Sequence, residues 1–345
     1  MIACIRKGLL ISADVHQAFI EAIKDAKTVA VTAHVGPDGD TLGCMLAFKF
    51  AFEKACTHIQ TVDCVISGKM PDAYRFLPGI RDVQQYENAP NLLESYDVAI
   101  SVDCGSIDRL GPMRKLLESA KTSINIDHHI SNENFAKLNL VEPTAAASGE
   151  VVYDLFKTMG IAMDAHIATN LYTAIVSDTG GFKYSNTTPK VMEISAHLIT
   201  AGADPEYVFK QLYEERPYQQ LTMQADAFLK ADYNPEKTIG WATITKAFLK
   251  QHGALDEHAD GLVETIRRVD TVLIAVVFKE TSDGNTKVSI RSDTHDINVA
   301  DVMGKFGGGG HKMAAGCTIT KPIEEAKKEL LPLLEEQVQK RLLVR

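Results

Sequence analysis

The segment TVAVTAHVGPDGDT, residues 28–41, joins a β-branched run to a turn and then to the start of an apolar segment. The run 28–33 predicts a buried strand, because short runs of β-branched and apolar residues suit an extended, covered backbone. The apolar segment 41–55 predicts a helix, with Asp40 or Thr41 available as its N-cap. The sequence therefore predicts a strand that passes through a turn directly into a helix.

The same alternation continues to about residue 180. Further β-branched runs, separated by helical patterns, occupy residues 61–67, 98–103 and 123–127. Strands that alternate with helices are typical of a doubly wound parallel sheet. We therefore expect an α/β fold for this part of the chain.

The second half of the chain changes character. Residues 188–234 are rich in helix formers and carry no strand signal. After them, β-rich runs predict strands at 239–245, 271–280 and 287–291. The turn 282–285 predicts a hairpin, and the final helical pattern 323–343 contains Pro332, which should kink or split the helix. We expect a larger α/β domain, a helical linker and a smaller α/β domain, at residues 1–195, 196–235 and 236–345.

Composition limits the ligands and the location of the protein. The formal net charge is −9 and no run rich in Lys or Arg appears, whereas binding of long nucleic acid requires a basic face. Six cysteines, at positions 4, 44, 56, 64, 104 and 317, form no C-x-x-C pair and are interpreted as reduced thiols. No apolar stretch suits a membrane helix, and the amino terminus lacks an export pattern. We expect a cytoplasmic protein whose nucleotide ligand, if any, is small or short.

The turn after the first strand is the first candidate site. It carries His34, Asp38 and Asp40 within seven residues, with two glycines and Pro37 between them. Such a turn can direct three ligands to one point. Asp and Gly also populate turns for local reasons, and Asp40 could simply cap the helix. The turn alone therefore leaves metal binding and a structural role open.

More acidic and imidazole groups stand where predicted elements end, namely Asp103, Asp127-His128-His129 and Asp178. The carboxyl ends of parallel strands form one crevice, so residues distant in sequence converge there. The set of potential ligands is then His34, Asp38, Asp40, Asp103, His128 and Asp178. The structural alternative is that the two histidines form a buried pair bonded to the backbone and that Asp178 only forms a turn.

The donor types indicate which ion this set would bind. Repeated Asp and His without cysteine favour Mn²⁺ or Mg²⁺, and the histidines favour Mn²⁺. The number of donors suits two ions that share a carboxylate. Two such ions neutralise the attacking and leaving oxygens of an in-line displacement at phosphorus. The sequence thus predicts the hydrolysis of phosphate esters.

The smaller domain contains a second candidate site. Four glycines at 307–310 precede His311, and successive glycines let backbone N–H groups approach an anion closely. Arg291 could clamp a phosphate bidentately while Ser292 adds a hydrogen bond. The alternative is a flexible loop beside a surface arginine. In the larger domain Arg109 could likewise reach a phosphate, although we expect it to pair with Asp108.

These residues together closely resemble the DHH phosphoesterase family, whose name is spelled by Asp127-His128-His129. The match runs in order through the turn 34–40, Asp103 and Asp178. The stretch Gly308-Gly309-Gly310-His311, with Ala314-Ala315-Gly316, resembles the DHHA1 domain. The resemblance covers essentially the whole chain and implies that the larger domain is catalytic and the smaller one binds substrate.

The resemblance also implies roles for individual residues. One cation would be held by His34, Asp38 and Asp103, and the other by Asp40, Asp103, His128 and Asp178. Asp127 would orient its neighbours, and His129 would support charge in the transition state. The substrate's other phosphate or its terminal nucleotide would contact Arg291, Ser292, Gly309, Gly310 and His311. The resemblance implies a possible homodimer as well.

Within the family, the chain is most similar to the stand-alone NrnA-type branch. This resemblance implies a Mn²⁺-dependent exoribonuclease that cleaves very short RNA (nanoRNA) and pApA to 5′-mononucleotides, with phosphatase activity on 3′-phosphoadenosine 5′-phosphate (pAp). One alternative is a second-messenger phosphodiesterase acting on cyclic di-AMP or pApA. Another is a nucleotide-binding sensor without turnover. A processive nuclease of the RecJ type shares the motifs, but the acidic charge disfavours it.

Overall fold

The structure is a computed structural model that describes residues 13–344, so the expectation for Cys4 lies outside the described residues. The chain divides into two compact units, one ending at Glu215 and the other beginning at Arg216. The predicted linker 196–235 is therefore shared between the two units. Within residues 13–344, no helix is both long and apolar enough to cross a membrane.

The first unit is built on a parallel sheet of six strands in the order β3-β2-β1-β4-β5-β6. The strands are β1 Thr28–Thr32, β2 Thr61–Ile66, β3 Gln84–Gln85, β4 Val98–Val102, β5 Thr122–Asp127 and β6 Leu138–Val141. The strand order changes direction between β1 and β4. From β1 the chain adds β2 and β3 on one side, and from β4 it adds β5 and β6 on the other side. Doubly wound sheets bind their ligands at such a switch point.

Helices cover both faces of this sheet, as the predicted fold requires. They are α1 Ala13–Ile23, α2 Gly39–Ala55, α3 Arg114–Ser119, α4 Ser148–Thr158, α5 Ala165–Asp178, α6 Pro189–Thr200 and α7 Pro205–Phe209. On one face α2, α4 and α5 share a core in which Phe48 and Phe156 meet edge to face. The other face is covered by α3 and the turn before it, through Leu110, Met113 and Leu116. Short helical turns lie at Asp72–Tyr74, Ile80–Asp82, Tyr86–Asn88, Ile107–Met113 and Lys210–Glu214.

The second unit has a mixed sheet in the order β11-β12-β10-β9-β8-β7, in which only β8 and β9 pair in parallel. Its strands are β7 Asp232–Tyr233, β8 Ile239–Ile244, β9 Ile274–Glu280, β10 Thr286–Ser292, β11 Gly309–His311 and β12 Ala314–Ile319. Its helices are α8 Tyr218–Leu229, α9 Lys246–Gln251, α10 Leu262–Arg267, α11 Val299–Gly304 and α12 Ile323–Val344, with a short turn at Asp256–Ala259. The architecture confirms the predicted α/β class for both units.

Some sequence-based expectations differ from the structure. The region 188–234 was expected to contain no strand, and this prediction is wrong because β7 pairs with β8 through Asp232 and Tyr233. A strand of two residues is too short to leave a pattern in the sequence, and its extended backbone is set by the partner strand. Pro332 lies inside α12, which continues on both sides, so the helix is not split. The predicted hairpin between β9 and β10 is confirmed.

Candidate metal centre

The polar groups of the first unit gather at the carboxyl end of its sheet. His34 follows β1, Asp103 follows β4, and Asp127 ends β5. These three strands are neighbours, and the first two flank the switch point of the sheet. The fold thus directs side chains from distant parts of the sequence to one place, as the sequence analysis predicts.

The first group of potential ligands consists of His34, Asp38 and Asp103, whose ligand atoms lie within 4.8 Å of one another. Asp38 reaches the group from the N-cap of α2, where its carboxylate also accepts from Thr41 N. The Thr41 hydroxyl lies 3.0 Å from His34 Nε2, 3.0 Å from Asp38 Oδ1 and 2.8 Å from Asp103 Oδ2. Thr41 therefore belongs to this group, and the sequence analysis considered it only as a helix cap.

Two further groups are connected to the first through shared residues. One contains Asp40, His128 and Asp178, and the other contains Asp103, His128 and His129. His128 Nε2 is 3.1 Å from Asp178 Oδ2, 3.7 Å from Asp103 Oδ1 and 4.0 Å from Asp40 Oδ2. Asp103 and His128 each belong to two of the three groups. The three groups therefore form one continuous cluster, in which every predicted metal ligand takes part.

Hydrogen bonds orient two imidazoles so that their Nε2 atoms face this cluster. His34 Nδ1 donates to Val35 O over 3.0 Å, and His128 Nδ1 donates to Ala145 O over 3.2 Å. Because a carbonyl oxygen only accepts, the proton of each neutral ring sits on Nδ1 and Nε2 carries the lone pair. His128 Nε2 is buried and makes no hydrogen bond, although Asp178 is close. Burial opposes protonation of this ring, but Asp178, Asp40 and Asp103 outweigh burial and raise the pKa of His128 to about 11. A bound cation would therefore take the place of the Nε2 proton.

The electrostatics of the cluster also favour a cation. Burial, together with Asp103 and Asp178, raises the pKa of Asp40 well above its usual range. Burial and the nearby carboxylates likewise raise the pKa of Asp178, which ends α5 where the helix dipole disfavours negative charge. Burial disfavours the ionised form of Asp103 too, but the three histidines outweigh it and lower the pKa of Asp103. Crowded negative charge is what a divalent cation would neutralise.

A chain of polar contacts holds the third histidine. His129 Nδ1 lies 2.7 Å from Asp127 Oδ1, and Asn132 Nδ2 donates to Asp127 Oδ2 over 2.5 Å. Asn132 also donates to Asn125 Oδ1 over 2.8 Å, which fixes it to β5. Asp127 is fully buried, so these contacts determine its orientation. The sequence analysis missed Asn132, and its only signal was an amide shortly after the DHH triplet.

Ser148, at the first position of α4, is another residue that the sequence did not indicate. Its hydroxyl donates to Asp103 Oδ1 over 3.2 Å, and its backbone N–H donates to Asp40 Oδ2 over 2.6 Å. Asp103 itself adopts a left-handed backbone, with φ of 53°. A non-glycine residue in this region usually needs support from its surroundings. Ser148 supplies part of this support by tying the side chain of Asp103 to α4.

Arg109 and Asp108 do not form the expected salt bridge. Asp108 instead lies 3.3 Å from Arg114 on the next helix. The side chain of Arg109 is exposed. Burial and the charge of Arg109 oppose protonation of His34, but the contact with Asp103 outweighs both and raises the pKa of His34. The expectation for the pair is therefore wrong, because Asp108 pairs with Arg114, which lies further along the chain at the start of α3.

The predicted substrate residues of the second unit lie on β10 and β11, the two strands that flank β12. Arg291 on β10 and His311 on β11 are both registered opposite Ala314 on β12. Directly opposed residues in antiparallel strands point to the same face, so the two side chains flank the small Ala314. Arg291 Nε donates to Glu264 Oε1 over 2.8 Å, which fixes the guanidinium.

The glycines and Ser292 differ from the expectation in their local role. Gly309 and Gly310 form part of β11 rather than a loop. A Cβ at Gly310 would lie 2.4 Å from Ala314 O, and one at Gly308 would lie 2.2 Å from Gly316 O, so these glycines permit close pairing with β12. Ser292 is fully buried, and its hydroxyl donates to Thr294 O over 2.9 Å. Its side chain therefore stabilises the turn after β10.

Fold and site together define a class of protein: a doubly wound domain with clustered His and Asp side chains suited to divalent cations, and a second domain with a mixed sheet. Family models match both units, the DHH family N-terminal domain over residues 28–175 and the DHHA1 domain over residues 243–340. The chain belongs to the DHH/DHHA1 phosphoesterase family, whose members are hydrolases.

Individual relatives cover nearly the whole chain. The chain is 30% identical to the bifunctional oligoribonuclease and PAP phosphatase NrnA of Mycoplasma genitalium, over 93% of this chain and 96% of the relative. It is 28% identical to the protein of the same name from Thermus thermophilus, over 90% of each. The fold is similar to that of an exopolyphosphatase-related protein from Bacteroides fragilis, with a TM-score of 0.86, 23% identity, and coverage of 96% of this chain and 97% of that one.

Proposed function

We propose that this chain is a phosphoesterase dependent on two divalent cations, Mn²⁺ in preference to Mg²⁺. Its substrates would be very short oligoribonucleotides and pApA, cleaved to 5′-mononucleotides, and pAp, which it would dephosphorylate. The observation that carries the proposal is the continuous cluster of His and Asp side chains around Asp103 and His128. The substrate class is supported by the activities named for the two relatives, oligoribonuclease and PAP phosphatase.

The donor set fits two cations that share Asp103. One would be held by His34, Asp38 and Asp103, and the other by Asp40, Asp103, His128 and Asp178. When bound, the two cations would supply the Lewis acidity that neutralises negative charge on the attacking and leaving oxygens of the phosphate ester. The mixture of imidazole and carboxylate donors favours Mn²⁺, because Mg²⁺ prefers oxygen ligands alone.

His129 would act on the phosphate rather than as a principal ligand. Burial opposes its protonation, but the contact with Asp127 outweighs burial and raises the pKa of His129. The raised pKa favours an imidazolium, which stabilises negative charge on a phosphoryl oxygen. Asp127 and Asn132 are then positioning residues that hold the ring in place.

The second unit would bind the rest of the substrate. Arg291 and His311, on the same face of the sheet, would contact a phosphate or the terminal nucleotide, while the exposed backbone of Gly309 and Gly310 lies beside them. Ser292 would contribute through the turn that it stabilises. The net charge of −9 favours short substrates, because long strands gain affinity from many basic contacts. The homodimer stays a prediction of the family resemblance.

A substrate panel tests this function. The protein is stripped with a chelator, and turnover of pApA, a five-nucleotide RNA, pAp, cyclic di-AMP and a long 5′-labelled RNA is measured before and after Mn²⁺ is added. We expect Mn²⁺ to restore rapid turnover of pApA, the short RNA and pAp. A clear preference for cyclic di-AMP would indicate the second-messenger alternative. Binding of pAp without turnover of any substrate would indicate the sensor, and rapid shortening of the long strand would contradict the length limit.

A further inference from the structure

A small cavity in the first unit has no part in the proposed reaction. Its volume is about 40 Å³, and residues from four separate segments line it. The polar lining residues are His16 from α1, Glu142 after β6, Glu150 and Asp154 from α4, and Lys190 from α6. None of these residues belongs to the cluster around Asp103.

Two polar atoms in this cavity are buried without a hydrogen-bond partner. They are His16 Nε2 and Glu142 Oε2, on side chains that are only 8% and 6% exposed. A buried polar atom without a partner costs about 1–3 kcal/mol, so such atoms are rare unless a ligand or water completes them. Both atoms line the same cavity, which indicates one shared occupant.

Hydrogen bonds around the cavity show that both atoms offer lone pairs. The Thr158 hydroxyl donates to Asp154 O over 3.0 Å, so it must accept from His16 Nδ1, which is 3.0 Å away. The imidazole proton is therefore on Nδ1. Burial, only partly opposed by Asp154, lowers the pKa of His16 and favours this neutral form, in which Nε2 is an acceptor.

The carboxylate of Glu142 also presents an acceptor. Its Oε1 accepts from Thr144 N over 3.1 Å and from the Thr144 hydroxyl over 2.6 Å, which leaves Oε2 facing the cavity. Two acceptors cannot bond to each other, and they require a donor or a cation between them.

The charges of the lining select a cation. Three carboxylates, Glu142, Glu150 and Asp154, face one ammonium group. Lys190 Nζ bridges Glu150 over 2.9 Å and Asp154 over 2.6 Å, and Glu142 has no such partner. The lining thus carries two unbalanced negative charges, which one divalent cation would neutralise. The cavity is too small for a nucleotide, because about 10–15 Å³ already holds one water-sized occupant.

We propose that this cavity binds one divalent cation of the zinc and manganese class through His16 Nε2 and Glu142 Oε2. One imidazole nitrogen with carboxylate oxygens is a donor set that these ions accept, with Zn²⁺ the tighter binder. Water in the cavity would complete the coordination, while Glu150 and Asp154, held by Lys190, would contribute negative charge around the ion. The site is separate from the cluster around Asp103 and does not depend on the proposed function.

The backbone of Glu142 connects this cation site to the DHH triplet. Glu142 N donates to Asp127 O over 3.0 Å, and Ala145 N donates to Glu142 O over 3.0 Å. Ala145 O in turn accepts from His128 Nδ1. A cation at Glu142 would therefore tether α1 to the segment that orients His128, and its role would be structural.

Metal content measures the site directly. Chelator-stripped protein is dialysed against a low concentration of Zn²⁺, and the bound zinc is counted for the unmodified chain and for the variants Glu142→Gln and His16→Gln. Glu142→Gln retains the Oε1 acceptor for Thr144 and removes only the charge and the second acceptor. We expect each variant to bind one ion fewer than the unmodified chain. Equal metal content in all three proteins would show that the cavity holds water only and would overturn the proposal.

Two control variants separate this site from the rest of the molecule. His58→Gln alters a histidine whose Nε2 already contacts Ile23 O near α1, and it should leave the zinc content unchanged. Asp103→Asn alters the candidate metal centre, and this variant should still gain thermal stability from Zn²⁺, whereas Asp103→Asn combined with Glu142→Gln should gain less. An anomalous zinc peak between His16 and Glu142 in crystals would locate the ion, and no peak there in zinc-loaded crystals would contradict the site.

Discussion

The carboxylate of Asp40, in the first turn of α2, accepts a hydrogen bond of 2.6 Å from the backbone N–H of Ser148 at the N-terminus of α4. A second bond, of 2.8 Å, comes from Gly149 N. Asp40 thus satisfies two N–H groups that a helix leaves unpaired at its start, and the helix dipole stabilises its charge. Asp38, two residues earlier, caps its own helix through Thr41 N. The two carboxylates of one turn therefore have different structural tasks.

This difference predicts unequal stability effects for two conservative substitutions. Asp40→Asn leaves a buried N–H donor without its acceptor, which should lower the free energy of unfolding by about 2 kcal/mol, and relief of the charge crowding by Asp103 and Asp178 should offset part of this loss. Asp38→Asn should leave stability nearly unchanged, since Asn is as good an N-cap as Asp. Both substitutions should weaken Mn²⁺ binding. Urea unfolding in the presence of chelator and calorimetric Mn²⁺ titration measure the two effects, and equal stability of the variants would contradict the assignment.

Asp103 is predicted to be the residue whose replacement most reduces turnover. Its carboxylate takes part in two of the three ligand groups, and Asn is one of the non-glycine residues that best tolerate the left-handed backbone at this position. Asp103→Asn should therefore fold normally and lower kcat for pApA by at least about a hundredfold, the upper range seen for residues one step from a metal. Asp108→Asn, an exposed carboxylate in the same loop, is the control and should keep full activity. Full Mn²⁺-dependent activity of Asp103→Asn would rule out a shared ligand.

Asn132 is predicted to act through Asp127 and His129. Asn132→Ala removes the donor to Asp127 Oδ2 and frees that carboxylate to rotate away from His129. We expect kcat to fall about tenfold while KM stays unchanged, because substrate binding does not involve this amide. Steady-state kinetics with pApA give both constants. Asn139→Ala, which removes local bonds with Asn134 and Ala136 and none with Asp127, serves as the control. A raised KM with an unchanged kcat would show that Asn132 contacts substrate instead.

Much of the candidate centre could be predicted because its residues end regular elements. His34, Asp103 and Asp127 follow or end β-branched strands, and parallel strands bring such positions together whatever the details of packing. Thr41, Asn132 and Ser148 could not be predicted, because their roles depend on contacts with residues far away in the sequence or in a folded turn. Ser, Thr and Asn occur in turns and caps throughout the chain, so residue type gave no indication.

In the second unit, too, contacts between distant residues could not be predicted from the sequence. The glycine run was interpreted as an anion-binding loop, whereas Gly309 and Gly310 form an edge strand with β12. Pairing, not propensity, determines the backbone of a three-residue strand. Ser292 was expected to offer a hydrogen bond to a phosphate, but its side chain is buried and its hydroxyl donates to Thr294 O. Arg291 and His311, in contrast, share a face because strand register places both opposite Ala314.

Asp97, at the start of β4, is predicted to stabilise the first unit in a pH-dependent manner. Its carboxylate accepts from Lys121 Nζ over 2.7 Å, from Lys27 N over 2.8 Å and from Thr28 N over 3.1 Å. The hydrogen bond from Lys121 has the largest effect, and together these bonds lower the pKa of Asp97 from 3.8 to about 2. A lowered pKa in the folded state means that the stabilisation is complete above the ordinary pKa and is lost as the pH falls through about 2.

Asp97→Asn should therefore lower the free energy of unfolding by about 1 kcal/mol at neutral pH, because the charged acceptor becomes a neutral one. The difference between the variant and the unmodified chain should shrink as the pH falls below about 4, where the unfolded carboxylate takes up a proton. Urea unfolding in chelator at pH 7, 5 and 3.5, within the range that the fold tolerates, measures this trend. Asp25→Asn, an exposed carboxylate after α1, is the control and should show no such trend. A stability difference between Asp97→Asn and the unmodified chain that stays constant with pH would mean that the charge of Asp97 contributes nothing, and that only the shape of the side chain holds β1, β4 and Lys121 together.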